Sequence, residues 1–154
     1  GRYACAMAGA PVSNMFSAYG GIRYGTGMSR QFQYEKTQSR IGATPWRRFD
    51  LYKKNSPVFF ADKVETPLMI MHNDNDGAVP FTQGIELFMA LRRLQKPVWM
   101  LVYNGEQHNL KKRANRLDLS NRMGQFFDHY LKSSIKPDWM SKGRPLTEKP
   151  IQKK

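Results

Sequence analysis

Two polar segments, each directly after an apolar run, carry the side chains best suited to acid–base chemistry. The first, residues 72–80, contains Asp74 and Asp76, and the second, residues 104–109, contains His108. A carboxylate that orients an imidazole, with the imidazole as general base, makes up two thirds of a nucleophilic triad. The acid precedes the histidine here, and acid before histidine is the chain order of α/β-hydrolases, in which the serine comes first.

The same residues have other interpretations. Asp74-Asn75-Asp76-Gly77 resembles a calcium loop, but that template places His72 and Gln83 where an Asp and a bidentate Glu belong. The three histidines of the chain show no zinc-ligand spacing. A histidine in a loop after a strand is also commonly an ordinary polar residue. The sequence therefore predicts no metal site and no cofactor, and it favours the acid–histidine pair.

The elements that would position this pair alternate between strand and helix. Residues 67–72 and 98–103 are apolar runs typical of strands buried on both faces. Residues 83–94 and 118–131 carry apolar side chains at helical spacing. Strand, helix, strand and helix with short links predict a parallel α/β unit, in which functional side chains follow the carboxyl ends of the strands.

The flanking segments are less regular. Residues 3–10 are small and apolar and predict another buried strand, followed by an excursion of loops and short helices over residues 12–38. Thr44-Pro45 has the residue types of a helix start, and we expect that helix to run to about Asn55. From Ser133 the chain is charged, proline-containing and without periodicity, so we expect an extended or disordered strap.

Composition narrows the class of protein. The chain has 154 residues, 40% hydrophobic, with a net charge of +13 and a single cysteine, Cys5. It is long enough for one domain with a core, and its longest apolar run is too short to cross a bilayer. The positive charge leaves a nucleic-acid binder as an alternative, but no zinc-knuckle or RNA-binding aromatic pattern supports one. We therefore expect neither nucleic acid nor a membrane span.

Several segments together resemble the prolyl oligopeptidase family of serine peptidases. Pro67–His72 followed by Asp76–Pro80 is similar to that family's TPLLxxHGxxDxxVP segment, and Tyr103–His108 is similar to its YxxExH loop. Residues 9–14 and 55–57 also match the sequence pattern usual in the family, so the resemblance covers roughly residues 2–131. It is strongest to bacterial dipeptidyl-peptidase-like and acylaminoacyl-peptidase-like members.

The resemblance implies a role for each matched residue. Asp76 corresponds to the triad acid and His108 to the general base. The spacing of Asp74 to the Val-Pro pair does not fit the motif, and Glu106 lies on the same short loop as the histidine. The serine is expected on a Gly-x-Ser-x-Gly elbow upstream of Gly1, by about 15–20 residues. The chain alone is therefore expected to lack hydrolase activity.

The resemblance also implies an architecture. Residues 1–131 are interpreted as the C-terminal part of an α/β-hydrolase domain, with a parallel sheet and flanking helices, incomplete without the upstream segment. Residues 132–154 are interpreted as a basic tail. Relatives carry a β-propeller that excludes folded proteins, so the implied substrates are short peptides. Tyr19 and Tyr24, in the excursion, are candidates for the substrate pocket.

Three alternatives stay open at this point. A carboxylesterase-type hydrolase of the same fold would keep Asp76 and His108 but lack the propeller. A non-catalytic binding module, and the nucleic-acid binder, are the others. For location, we expect the periplasm or secretion, with the cytoplasm left open.

Overall fold

The computed structural model describes residues 2–143, so the end of the predicted basic tail, residues 144–154, lies outside the described residues. In chain order the elements are β1 (Ala6–Gly9), α1 (Met15–Tyr19), β2 (Ile22–Arg23), β3 (Met28–Ser29), α2 (Gln31–Glu35), α3 (Phe49–Lys54), a 3-10 segment (Pro57–Lys63), β4 (Leu68–Met71), α4 (Phe81–Arg93), β5 (Val98–Leu101), α5 (Arg113–Lys132) and α6 (Asp138–Ser141).

The main sheet is parallel and has the order β1-β4-β5. Its register aligns Gly9, Met71 and Leu101, so all three strands end at the same edge. Each of the three predicted strands is present. The strand–helix alternation from β4 to α5 gives the parallel α/β unit that the apolar periodicity predicts.

The central strand β4 is buried on both faces. Met69 and Ile70 are adjacent in the chain and have no exposed surface, because successive side chains of a strand point to opposite faces. Ile70 packs in a cluster with Leu87 and Leu91 of α4, whereas Met69 packs in a second cluster with Phe126 of α5. The two helices therefore cover opposite faces and fix β4 in the middle of the layers.

The excursion between β1 and β4 forms a third cluster built on tyrosines. Tyr19, Tyr34 and Tyr52 are buried together, and the short antiparallel pair β2–β3 projects beside them. The expected α3 begins only at Phe49, so its predicted start at Thr44 is wrong. Residues 44–47 form a turn instead, in which the Thr44 carbonyl accepts N–H bonds from the two arginines that follow Trp46.

Two buried polar side chains hold the excursion in place. The Gln83 side-chain oxygen, on α4, accepts N–H bonds from Ser13 at 3.1 Å and Asn14 at 2.9 Å. The Ser56 hydroxyl accepts the Met15 N–H at 2.8 Å and donates to the Tyr52 carbonyl at 2.7 Å. Buried polar groups are stable when paired in this way, so the Gln83 bonds fix the start of the excursion against α4 and the Ser56 bonds join α1 to the end of α3.

The segment after α5 is partly ordered by contacts with the sheet layer. Residues 138–141 form α6, and Met140 is buried in the cluster of Phe126. The Trp99 indole N–H donates to the Met140 carbonyl at 2.8 Å. The expectation of an extended or disordered strap from Ser133 is therefore wrong for these residues. Over residues 2–143, no helix has the length and apolar character needed to cross a membrane.

Candidate active site

The structure brings Asp76 and His108 together. Asp76 follows β4 and His108 follows β5, and the paired ends of these neighbouring strands place the two loops side by side. Asp76 Oδ2 lies 2.8 Å from His108 Nδ1. The carboxylate side chain is fully buried, whereas the imidazole side chain is 43% exposed. One nitrogen of the ring is thus held by an acid while part of the ring stays open to solvent.

The Asp76 carboxylate is held by several donors. Its Oδ1 accepts the N–H groups of Ala78 and Val79, each at 2.8 Å, and its Oδ2 also lies 3.5 Å from His72 Nε2. Burial on its own raises the pKa of Asp76, but the hydrogen bonds from His72, Val79, His108 and Ala78 outweigh it and hold the pKa well below its ordinary range. The acid is therefore ionised at neutral pH despite its burial.

His72 supports the acid from inside the protein. It is fully buried, and its Nε2 lies 3.1 Å from the Val79 carbonyl oxygen. Helix α4 reaches this ring at Gly84, where a Cβ atom would lie only 2.5 Å from His72 Nδ1. This close approach requires glycine at position 84. It lets the helix pack directly against the His72 ring, which lies beside Asp76.

The other acids of the two loops are engaged elsewhere. Asp74 Oδ1 accepts the Gly105 N–H at 2.7 Å, which links the two loops away from the imidazole. The Glu106 carboxylate accepts the N–H groups of Lys111 and Lys112 and the side-chain amide of Asn115. These bonds hold the pKa of Glu106 below its ordinary value, the Lys111 N–H contributing most and burial opposing it. Neither acid faces His108.

Asn73 links the two loops through a contact that the sequence motifs did not indicate. Its side-chain amide donates to the carbonyl of Gln107 at 2.5 Å, and Gln107 immediately precedes His108. The bond joins the acid loop directly to the histidine loop. The prolyl oligopeptidase motif has glycine at the position of Asn73. The motif therefore could not predict the hydrogen bond between Asn73 and Gln107.

Tyr19 and Tyr24, the candidate pocket residues, are not among the residues that line the cavity beside His108. The Tyr19 hydroxyl donates to Glu35 Oε1 at 2.6 Å, and burial together with this carboxylate raises the pKa of Tyr19 to about 12. Tyr19 lines an apolar groove of about 570 Å³ with Trp46 and other aromatic residues. The Tyr24 side chain is 77% exposed. Their predicted substrate contact stays a prediction.

A second cavity, of about 220 Å³, opens beside His108. Its apolar wall is formed by Val12, which precedes α1, by Met15 in α1, and by Ala78 and Val79, which follow Asp76. Its polar wall comes from the excursion and includes two arginines. Sequence reasoning missed this wall, because its residues are distant in the chain and follow no motif. Among residues 2–143, no group of three or more His, Cys, Asp or Glu side chains is arranged to hold a metal ion.

Comparison with known proteins relates the sequence of this chain to peptidases. The sequence model of the prolyl oligopeptidase family matches residues 1–134. Dipeptidyl-peptidase 5 of Porphyromonas endodontalis is 28% identical over 129 residues, which is 77% of this chain and 18% of the relative. An uncharacterized peptidase of Bacillus subtilis, YuxL, is 33% identical over 79 residues, 49% of this chain and 12% of the relative.

Solved structures give the same fold. The acylaminoacyl peptidase of Pyrococcus horikoshii superposes with a TM-score of 0.71 at 20% identity, over 91% of this chain and 22% of that protein. The match identifies the architecture as that of an α/β-hydrolase peptidase domain, of which this chain contains a part. The chain spans less than a fifth of the length of the two curated relatives described.

Proposed function

Because the chain belongs to the prolyl oligopeptidase family, we propose that it supplies the acid and the histidine of a serine peptidase active site. The bond of 2.8 Å between Asp76 Oδ2 and His108 Nδ1 is the observation on which the proposal depends. It leaves Nε2 of His108 to serve as the general base. The 154 residues contain no Gly-x-Ser-x-Gly segment, so the proposal assigns the nucleophile to another part of the protein.

The reaction follows the serine hydrolase scheme. His108 Nε2 accepts the proton of the serine hydroxyl as its oxygen attacks the peptide carbonyl, and it then donates this proton to the departing amine. The same nitrogen then deprotonates a water molecule that attacks the acyl carbonyl, and it returns this proton to the serine oxygen as the ester bond breaks and the acyl group leaves as a carboxylic acid. Asp76 holds the proton on Nδ1 throughout, which fixes the tautomer and stabilises the imidazolium.

The family match favours this function over a carboxylesterase of the same fold or a non-catalytic module. Short peptides as substrates, an upstream β-propeller and a periplasmic or secreted location go beyond that match and are parts of the proposal. The division into a hydrolase part, residues 1–131, and a basic tail, residues 132–154, is proposed as well. We propose, finally, that the 154 residues alone have no hydrolase activity.

The test uses the complete natural polypeptide that contains this chain. We expect it to hydrolyse peptide anilides and to be labelled at one serine by a fluorophosphonate. His108→Ala should lower kcat by at least about 10³-fold, since triad residues act as a unit. His129→Ala, which changes a histidine on α5, is the control and should leave kcat unchanged.

The proposal fails if His108→Ala and His129→Ala have equal effects, or if the protein takes no fluorophosphonate. Hydrolysis of acyl esters without any hydrolysis of peptide anilides would instead support the carboxylesterase alternative.

A further inference from the structure

The cavity beside His108 has a cationic wall. Besides Tyr34, its polar side chains belong to Arg23, Arg30, Gln33, Gln38, Ser39 and His108. None of the described residues that line this cavity is acidic. Two guanidinium groups thus share a cavity with the proposed general base, and no carboxylate of the lining residues balances them.

Arg30 is buried and held in place by neutral groups. Its Nε and Nη2 donate to the Tyr34 hydroxyl at 3.1 and 3.0 Å. Its Nη1 donates to the carbonyl of Ala78, two residues after the proposed catalytic acid. A buried charge is costly unless it meets an opposite charge. The partners of Arg30 supply hydrogen-bond acceptors but no negative charge.

Arg23, on β2, has a donor with no acceptor. Its Nε is buried and has no hydrogen-bond partner among the residues that the structure describes. Within the same part of the chain, neither Arg23 nor Arg30 takes part in an ion pair. Glu35, an acid of the same excursion, accepts the Tyr19 hydroxyl instead. A buried N–H without an acceptor destabilises the protein unless a ligand supplies one.

We propose that this cavity binds a carboxylate of the peptide substrate, next to the bond that is cleaved. The inference rests on the proposed function, because His108 marks where that bond lies. A carboxylate would accept from the free donor of Arg23 and neutralise the guanidinium pair, and arginine is the side chain best shaped for this group. Gln38 and Ser39 carry further neutral donors in the lining, whereas the Gln33 amide donates to Gln38 at 3.5 Å.

The carboxylate has two chemical sources. It is either the side chain of a glutamate or aspartate on the acyl side of the cleaved bond, or the free C-terminus of a peptide on its amine side. Both sources place one negative charge beside His108. A neutral substrate would leave the arginine pair without a counter-charge, so the site discriminates by charge.

The experiment measures kcat/KM in the complete polypeptide with two matched pairs of substrates. The first pair is a blocked peptide anilide with glutamate or glutamine before the anilide. The second is a blocked peptide ending in a free carboxylate or in a carboxamide. We expect the anionic member of one pair to be preferred by roughly 10- to 100-fold, the range typical of hydrogen bonds to charged groups. The pair that shows the preference identifies the source.

Variants assign the preference to the cavity. Arg23→Gln should reduce the anionic-to-neutral ratio of kcat/KM at least about tenfold, and Arg23→Lys should restore part of it because the charge returns. Arg92→Gln, at an exposed position on α4, is the matched control and should leave the ratio unchanged. A purely structural role of Arg23 would lower both rates together and keep the ratio constant, which would overturn the proposal.

The remaining outcomes separate the two proposals. Hydrolysis of neutral and anionic substrates at equal rates would overturn the carboxylate site and leave the peptidase proposal intact. No turnover of any peptide, together with no fluorophosphonate labelling, would overturn the peptidase proposal and this inference with it.

Discussion

At the residue scale, the proposed site depends on a carboxylate that is both buried and charged. Asp76 has no exposed side-chain surface, yet its hydrogen bonds lower its pKa more than burial raises it. Two of those bonds come from its own loop, through the N–H groups of Ala78 and Val79. The backbone of the loop thus stabilises the ionised carboxylate, and the carboxylate in turn holds the His108 ring by its hydrogen bond.

Replacing this charge should affect catalysis far more than replacing its neighbour. In the complete polypeptide, Asp76→Asn should lower kcat by about 10⁴-fold, because an amide at this position favours the wrong imidazole tautomer. Asp74→Asn is the matched control on the same loop. An asparagine oxygen there can still accept the Gly105 N–H, so kcat should change little. Equal losses in the two variants would remove Asp76 from the proposed role.

The lowered pKa of Asp76 also predicts how stability depends on pH. Because the carboxyl titrates at lower pH in the folded state than its ordinary value of about 3.9, ionisation favours folding above about pH 4. That contribution is lost as pH falls below about 4 toward the folded-state pKa. Urea unfolding should therefore show a steeper loss of stability on acidification for the wild type than for Asp76→Asn. Parallel curves for the two proteins would contradict the prediction.

Sequence motifs indicated some residues of the proposed site and not others, and the difference has a physical reason. Asp76 and His108 lie in the loops that follow two apolar runs, and the spacing of the family motif favoured Asp76 over Asp74 as the acid. Asn73 and Arg30 form hydrogen bonds with residues distant in the chain, and Arg23 lines the cavity beside His108. No local period or spacing encodes such contacts, and only the folded chain brings them together.

At the element scale, the contrast between local sequence pattern and long-range contact explains which helix and strand boundaries could be predicted. β4 is predictable because Met69 and Ile70 are buried on opposite faces and form part of a continuous apolar run. The start of α5 is not, because the polypeptide before it is tied to Glu106 rather than to a local capping residue. α6 has only four residues, too few to show a helical period, and it is ordered by its contact with Trp99.

The contact between α4 and the acid loop gives an element-scale prediction. Gly84→Ala places a methyl group 2.5 Å from His72 Nδ1, so either the helix or the ring must move. Overpacking of this kind costs about 1–3 kcal/mol, and displacement of His72 should also lower kcat. Urea unfolding and peptide hydrolysis in the complete polypeptide measure the two effects.

The matched control for Gly84→Ala is Gly124→Ala in α5. A Cβ atom at Gly124 meets nothing within 4 Å, so alanine there should stabilise the helix by up to about 1 kcal/mol. If Gly84→Ala were as stable and active as Gly124→Ala, the packing of α4 against His72 would not support the acid.

At the scale of the whole molecule, two surfaces of the described chain are unusually apolar or unpaired. Trp46 and Phe49 are 83% and 60% exposed at the mouth of the aromatic groove. In the main sheet, β1 and β5 each pair only with β4, so among the described strands both are edge strands, and β1 is the one at the end farthest from α5 in the chain. Open strand edges and large apolar patches both favour association with other polypeptide.

The open edge of β1 predicts how a polypeptide of these 154 residues behaves alone. We expect it to elute from gel filtration as dimers or larger species, because N–H and C=O groups of β1 remain available for strand pairing. Gly9→Lys should shift it toward monomer, since a charged side chain at an edge blocks pairing and a Cβ at Gly9 meets nothing within 4 Å. Gly124→Lys adds the same charge on the exposed face of α5 and should leave the elution unchanged. A monomeric wild type would show that the edge is covered, and an equal shift by both lysines would show that charge alone, rather than strand pairing, controls association.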